Sequence, residues 1–249
     1  MKTNNLLSLI IVAALSSCAS SSKSHLSKGL KAQAAPLSTF LDHPQLMKPD
    51  RERAPFALVW VNPSLPAKRA GYDSIYVAPV DTSHLRKART NISNTAGLEK
   101  HRPVAEMANL LRGSFIDAFR QSPAPRLKYS PTLSPKGVTL HLALVELNAT
   151  DTAGNAIKTA IPYGSAISPL MNGNIAIEGK VRDNATGELL FEFADNERDP
   201  MTLVSLRDFK PWDHAKSAIK DWAKQFEELS RTPPNHKVKD SLFFTLKPL

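Results

Sequence analysis

The 249-residue chain has one cysteine, Cys18. A single thiol cannot close a disulfide within the chain, so no disulfide staples this fold even in an oxidising compartment. Catalytic signatures are missing as well: there is no G-x-S-x-G, H-E-x-x-H, P-loop or G-x-G-x-x-G. The seven histidines are His25, His43, His84, His101, His141, His214 and His236, and no two have metal-ligand spacing. Sequence patterns therefore name no catalytic residue, no metal ligand and no cofactor. No internal repeat is present. The most apolar run, residues 6–15 "LLSLIIVAAL", is also too short to remain as a membrane span. It rises about 15 Å as a helix, against a hydrocarbon core of about 30 Å.

What is present begins with that run. Lys2 precedes it, and the small residues Ser16, Ser17, Cys18, Ala19 and Ser20 follow. This is the layout of a secretory signal. An ordinary signal peptide followed by a chance cysteine is one reading. The four residues "LSSC", 15–18, resemble the lipobox of bacterial lipoproteins. That resemblance implies a diacylglycerol on the Cys18 thiol, cleavage that leaves Cys18 as the new N-terminus, and acylation of its amine. The covalent lipid on Cys18 is then the only attached group expected. Each buried CH₂ contributes about 0.8 kcal/mol, so two or three chains bind a membrane permanently. By the same resemblance, Ala19 in place of Asp implies the outer membrane, with the domain in the periplasm. In a Gram-positive source the anchor would lie on the outer face of the plasma membrane.

The expected division is a signal peptide over 1–17, a lipidated cysteine and flexible tether over 18–37, and one globular domain with a C-terminal tail over 38–249. Residues 19–37 are rich in Ser, Ala and Lys, as a flexible tether would be. Lys23, Lys28 and Lys31 would each add about 1 kcal/mol beside an anionic leaflet. Removing the signal leaves 232 residues, and 42% hydrophobic with 22% charged residues is ordinary globular composition. The net charge of +9 suits nucleic acid or anionic lipid. Export argues against nucleic acid and leaves the membrane and an envelope protein as partners.

Hydrophobic periodicity orders the domain. "PFALVWV", 55–61, reads as a strand buried on both faces, and "YDSIYVAPV", 72–80, as a strand that Pro79 ends or places at an edge. Residues 81–102 form a polar, basic loop. Val104, Met107, Leu111, Phe115 and Ala118 give a helix over 103–121. "GVTLHLALVELNA", 137–149, is a strand whose apolar face changes between Leu144 and Val145, which predicts a bulge. Residues 174–183, "NATG" at 184–187 and "ELLFEFAD" make an antiparallel hairpin. There Ile175, Ile177 and Val181 face inward, and Glu178, Lys180 and Arg182 outward. Asp213 is the expected cap of a helix over about 214–230, and "LFFTL", 242–246, an additional strand. Two helices cannot cover both faces of such a sheet. The expected fold class is therefore a two-layer α+β domain: a mainly antiparallel sheet of about five to six strands with two helices on one face.

Three blocks carry a family resemblance: "GYDSIYVAPV", "GNIAIEGKVRDNATGELLFEFAD" and "DHAKSAIKDWAKQFEELS". Behind "LSSC", and with "FLDHPQLMKPD" near the start of the domain, they resemble the bacterial lipoproteins classed as domain of unknown function 3313. The resemblance runs from about Phe40 to about Arg231. It implies an exported, lipid-anchored α/β domain and supplies no catalytic residues.

Three functions stay open. The first is a non-enzymatic envelope module that binds a partner. Its candidate surface is the apolar segment 156–173, with Ile157, Ile161, Tyr163, Ile167, Leu170 and Met171; alternatively that segment folds onto the core. The second is a carrier or sensor of a small apolar ligand such as lipid, with a cavity between sheet and helices lined by Phe115, Trp222 and Phe226. The third is an envelope hydrolase gathering His141, or another histidine, with carboxylates. Asp183 and Glu188 flank the hairpin turn, where a solvated turn is the plainer role.

Overall fold

The computed structural model describes residues 35–86, 101–148, 174–198 and 212–240. Its elements run β1 (Leu58–Val61), α1 (Leu65–Lys68), β2 (Ser74–Val77), α2 (His101–Arg120), β3 (Lys128–Tyr129), β4 (Gly137–Asn148), β5 (Asn174–Asp183), β6 (Leu189–Arg198) and α3 (Asp213–Arg231). They form one six-stranded sheet in the order β1-β6-β5-β4-β2-β3. The β1–β6, β6–β5 and β5–β4 pairs are antiparallel, while β2 runs parallel to both β4 and β3. This is the expected α+β architecture, with β3 as an additional two-residue strand.

Strand alternation produces the main core. Leu140, Leu142 and Leu144 of β4, Ile175 and Ile177 of β5 and Phe193 of β6 meet Met107, Leu111 and Phe115 of α2 and Ile219, Trp222 and Phe226 of α3. The predicted bulge is present: the β4–β5 register shifts between Leu144 and Glu146, leaving Val145 unpaired in the ladder. The turn after β5 closes with Gly187 at φ 72°, a conformation that favours glycine. Gly179 of β5 meets the Phe193 ring where a Cβ would stand, so β5 needs a bare backbone there.

Two expectations change in detail, and one open alternative is decided. Residues 55–61 were expected to be a strand buried on both faces; only Leu58–Val61 is a strand, and it lies at the sheet edge with Val61 44% exposed. The apolar run reflects Phe56 and Val59, which enter the core beside their exposed neighbour. Strand β2 ends at Val77, before Pro79, as the first of the two alternatives for Pro79 has it, and it lies inside the sheet between β4 and β3. Asp213 is not the helix cap. Trp212 holds that position, and Asp213 occupies the first turn, where a carboxylate faces the positive end of the helix dipole. The strand expected over 242–246, and residues 87–100 of the loop, lie outside the described residues.

The larger difference is on the sheet face away from the helices. Glu178 was expected to point to solvent, yet Glu178 is 1% exposed and Glu192 0%. Residues 35–43 cross this face as a strap. Phe40 and Leu41 pack on Ala143, Val145 and Ala176. Glu178 accepts from Ser38 N at 2.7 Å and from the Ser38 hydroxyl. Glu192 accepts from Asp42 N at 2.6 Å and His43 N at 3.0 Å. Lys180 donates to Phe40 O at 2.7 Å and pairs with Asp42, which also pairs with Arg182. Each buried carboxylate is thus matched to backbone N–H groups of the strap. Replacing Glu192 by Ala leaves two of those donors unmatched. The expected loss is about 2 kcal/mol of stability, read from urea unfolding.

Candidate functional site

Away from the solid centre of the core lies a cavity of about 240 Å³. Val138, Val181 and Leu190 line it from the sheet, Phe226 and Leu229 from α3, and Leu65 from α1. It is a half-open pocket at the edge of the helix–sheet interface, not a sealed void.

Three arginines complete the lining: Arg53, Arg69 and Arg126. They are far apart in sequence and meet at the C-terminal end of α3, whose last carbonyls have no partner within the helix. Arg53 Nη2 donates to Leu229 O at 2.7 Å and Thr232 O at 3.1 Å, and its Nη1 to Pro233 O. Arg69 Nη2 donates to Ser230 O at 2.7 Å and Thr232 O at 2.6 Å. Arg126 Nε donates to Ser230 O at 2.9 Å, and its Nη1 to Arg69 O at 2.6 Å. The cations thus sit where the helix dipole carries about half a negative charge.

Among the described residues, none of the three forms an ion pair with a carboxylate, in contrast to Arg86, Arg182 and Arg231. Burial lowers the pKa of all three, and the charge of Arg69 lowers Arg53 and Arg126 further; Asp50, also in the lining, acts the other way on Arg53. A guanidinium stays protonated at neutral pH regardless. Three positive charges therefore face one carboxylate and one helix end, and the site keeps a positive excess against an apolar wall.

The residues expected from sequence fall differently. Phe226 lines the cavity. Phe115 and Trp222 do not: both are fully buried in the core, Phe115 packing on Phe226 with ring centroids 5.6 Å apart and Trp222 Nε1 donating to Asp195 at 2.9 Å. Aromatic rings fill the middle of the helix–sheet interface, and the space is displaced to the end beside α1. Cys18 and the candidate surface Ile157, Ile161, Tyr163, Ile167, Leu170 and Met171 lie outside the described residues. The arginines were missed because each looks like an ordinary surface cation until the chain folds.

Asp183 and Glu188 brace the hairpin turn. Asp183 accepts from Tyr72 Oη at 2.7 Å, Ala185 N at 2.7 Å and Thr186 N at 3.0 Å. Burial acts to raise its pKa, and these hydrogen bonds outweigh burial and lower it. Glu188 accepts from Ser64 Oγ at 2.9 Å and pairs with Lys68, fastening α1 to the hairpin.

His141 stands opposite Lys180 in the β4–β5 register. Burial, then the charges of Lys180 and Arg182, lower its pKa, with Asp42 opposing them. Its surroundings suit a neutral ring. A depressed histidine pKa contributes stability above the unfolded value of about 6.5. That stability is lost as pH falls, because the unfolded chain takes up a proton that the fold resists. Between pH 7.5 and 5.5, His141→Gln is therefore expected to lose less melting temperature than the native chain, as followed by circular dichroism. Among the described residues, no group of three or more His, Cys, Asp or Glu side chains could hold a metal ion. No helix among them is long and apolar enough to cross a membrane.

The family described as protein of unknown function (DUF3313) matches residues 36–226. The chain belongs to this family. The match runs from the strap into α3, close to the span that the sequence blocks suggested, and it includes Arg53, Arg69 and Arg126. A comparison with curated proteins finds no match. Among solved structures the DUF3313 chain is similar to a PelC dodecamer from Paraburkholderia phytofirmans, at 10% identity and TM-score 0.36, over 68% of this chain and 94% of that one. It is also similar to protein XCC0632 of family DUF330 from Xanthomonas campestris, at 11% identity and TM-score 0.35, over 64% of this chain and 86% of that one.

Proposed function

We propose that this DUF3313 protein is a lipid-anchored protein of the bacterial envelope that works by binding a small apolar ligand rather than by catalysis. The observation that carries the reading is the apolar cavity at the end of α3. It is lined by aliphatic and aromatic side chains with a few polar groups, the usual character of a small-molecule site. This favours ligand binding over the other binding role considered, an envelope protein docked on residues 156–173.

The anchor rests on "LSSC" and on the signal layout before it. Ala19 favours the outer membrane, with the domain on its periplasmic side. Ala35, where the described chain begins, lies seventeen positions after Cys18. Fully extended, this stretch reaches about 60 Å, so the tether would keep Ala35 within that distance of the bilayer.

Binding of the neutral apolar dye N-phenylnaphthylamine to the full chain carrying Cys18→Ala tests the cavity without detergent. Saturable binding is expected. Ala54→Phe, which places a ring among the cavity-lining residues, should weaken it at least tenfold while the far-ultraviolet circular dichroism stays unchanged. Dye binding that is absent, or indifferent to Ala54→Phe, would remove the ligand-binding function.

A further inference from the structure

The cavity joins two features that ordinary packing does not require together: a half-open apolar pocket of about 240 Å³, and three guanidinium groups that form no ion pair among the described residues and share one nearby carboxylate, Asp50. One basic side chain commonly serves the last carbonyls of a helix. Here three converge, and their mutual repulsion works against the fold. Their donors are not exhausted either. Arg53 Nε, Arg69 Nε and Nη1, and Arg126 Nη2 make no hydrogen bond among the described residues.

We infer that the cavity takes a single-chain amphiphile with an anionic head. The acyl tail lies among Val138, Val181, Leu190 and Phe226, and the head lies against Arg53, Arg69 and Arg126. The inference rests on the ligand-binding reading above and specifies the class of ligand. An engineered apolar cavity of about 150 Å³ takes up a benzene ring, so a pocket of about 240 Å³ has room for a short acyl chain. An oxyanion supplies the charge that the arginines lack, and the planar guanidinium fork suits a carboxylate or a phosphate equally. A neutral head would leave the positive excess uncompensated, and a cationic one would be repelled. A free fatty acid and a phosphate monoester lipid share this chemistry, and the choice between them is left to measurement.

The test is isothermal titration calorimetry of the full Cys18→Ala chain with decanoate, decyl phosphate and decanol at low salt. One or both anions should bind at least tenfold more tightly than decanol, and the tighter anion identifies the head. Arg69→Gln should remove most of that preference, with the anions losing more affinity than decanol. If Arg69→Gln fails to fold, salt decides: a tenfold increase should weaken the anions at least threefold and leave decanol unchanged. Equal affinity for all three compounds would overturn the anionic head and leave the apolar cavity standing. Anion preference that survives Arg69→Gln, or the salt increase, would equally overturn the role of the arginines. No binding by any compound would remove the cavity function itself.

Discussion

Cys18→Ala is expected to move the protein from the membrane pellet to the soluble fraction almost completely. The size of the effect follows from the lack of a second strong hold in the apolar run or among the described residues. The apolar run at residues 6–15 is too short to remain as a span, and no helix among the described residues can cross a membrane. Lys23, Lys28 and Lys31 would together contribute about 3 kcal/mol beside an anionic leaflet, and salt screens that attraction. Two or three acyl chains contribute far more and are insensitive to salt. Fractionation at 0.1 and 1 M salt separates the terms. The native chain should stay with the membrane at both, while the variant should show less than a tenth of its protein in the pellet at 1 M. Labelling with a radioactive fatty acid should mark only the native chain. A variant that stays membrane-bound at high salt would show that another segment holds it, and the lipobox reading would fail.

Gly179→Ala has the largest effect expected on the fold. A Cβ at this position would press into the Phe193 ring, against Cε1 and Cζ. Phe193 cannot yield easily. It is fully buried and packs on Phe56, Phe191 and Phe226, with ring centroids 4.4, 6.0 and 5.3 Å away. The strand cannot yield easily either, because β5 is paired on both sides, to β4 and to β6. Overpacking of this kind costs about 3 kcal/mol or more. For a domain of this size, that lowers the melting temperature by roughly 6–12 °C. The cause is isolated by adding Phe193→Leu. A smaller, branched side chain opens the space over residue 179, so the double variant should be more stable than the sum of the two single losses predicts. Strict additivity would locate the damage elsewhere.

Much of the fold was legible in the chain because it rests on local periodicity. The helix stripe Met107, Leu111, Phe115 recurs at the helical interval, and Ile175 and Ile177 alternate at the strand interval. "NATG" carries the turn between β5 and β6. The apolar character passing from Leu144 to Val145 located the bulge, since a change of face within one strand needs an extra residue. Where local pattern and tertiary position disagreed, the pattern misled. "PFALVWV" is apolar enough for a central strand, yet among the described residues its outer side pairs with no strand beyond a single bridge at Lys48. Glu178 sits in a clean alternation and reads as solvated; the strap that buries it arrives from 140 residues earlier in the chain.

The sequence by itself determined the two-layer α+β class, the order of the five longest strands and two long helices, though not the short α1 and β3, and the membership of the family. Each depends on neighbours a few residues apart, or on blocks in a fixed order. Only the tertiary structure decided where the cavity lies and what lines it. Arg53, Arg69 and Arg126 share no spacing and no motif. They meet because the end of α3 presents unpaired carbonyls where three separate segments converge, and that convergence follows from sheet order and helix packing. The same packing filled the expected cavity between Phe115 and Trp222 with aromatic rings and left the open volume at the cationic end.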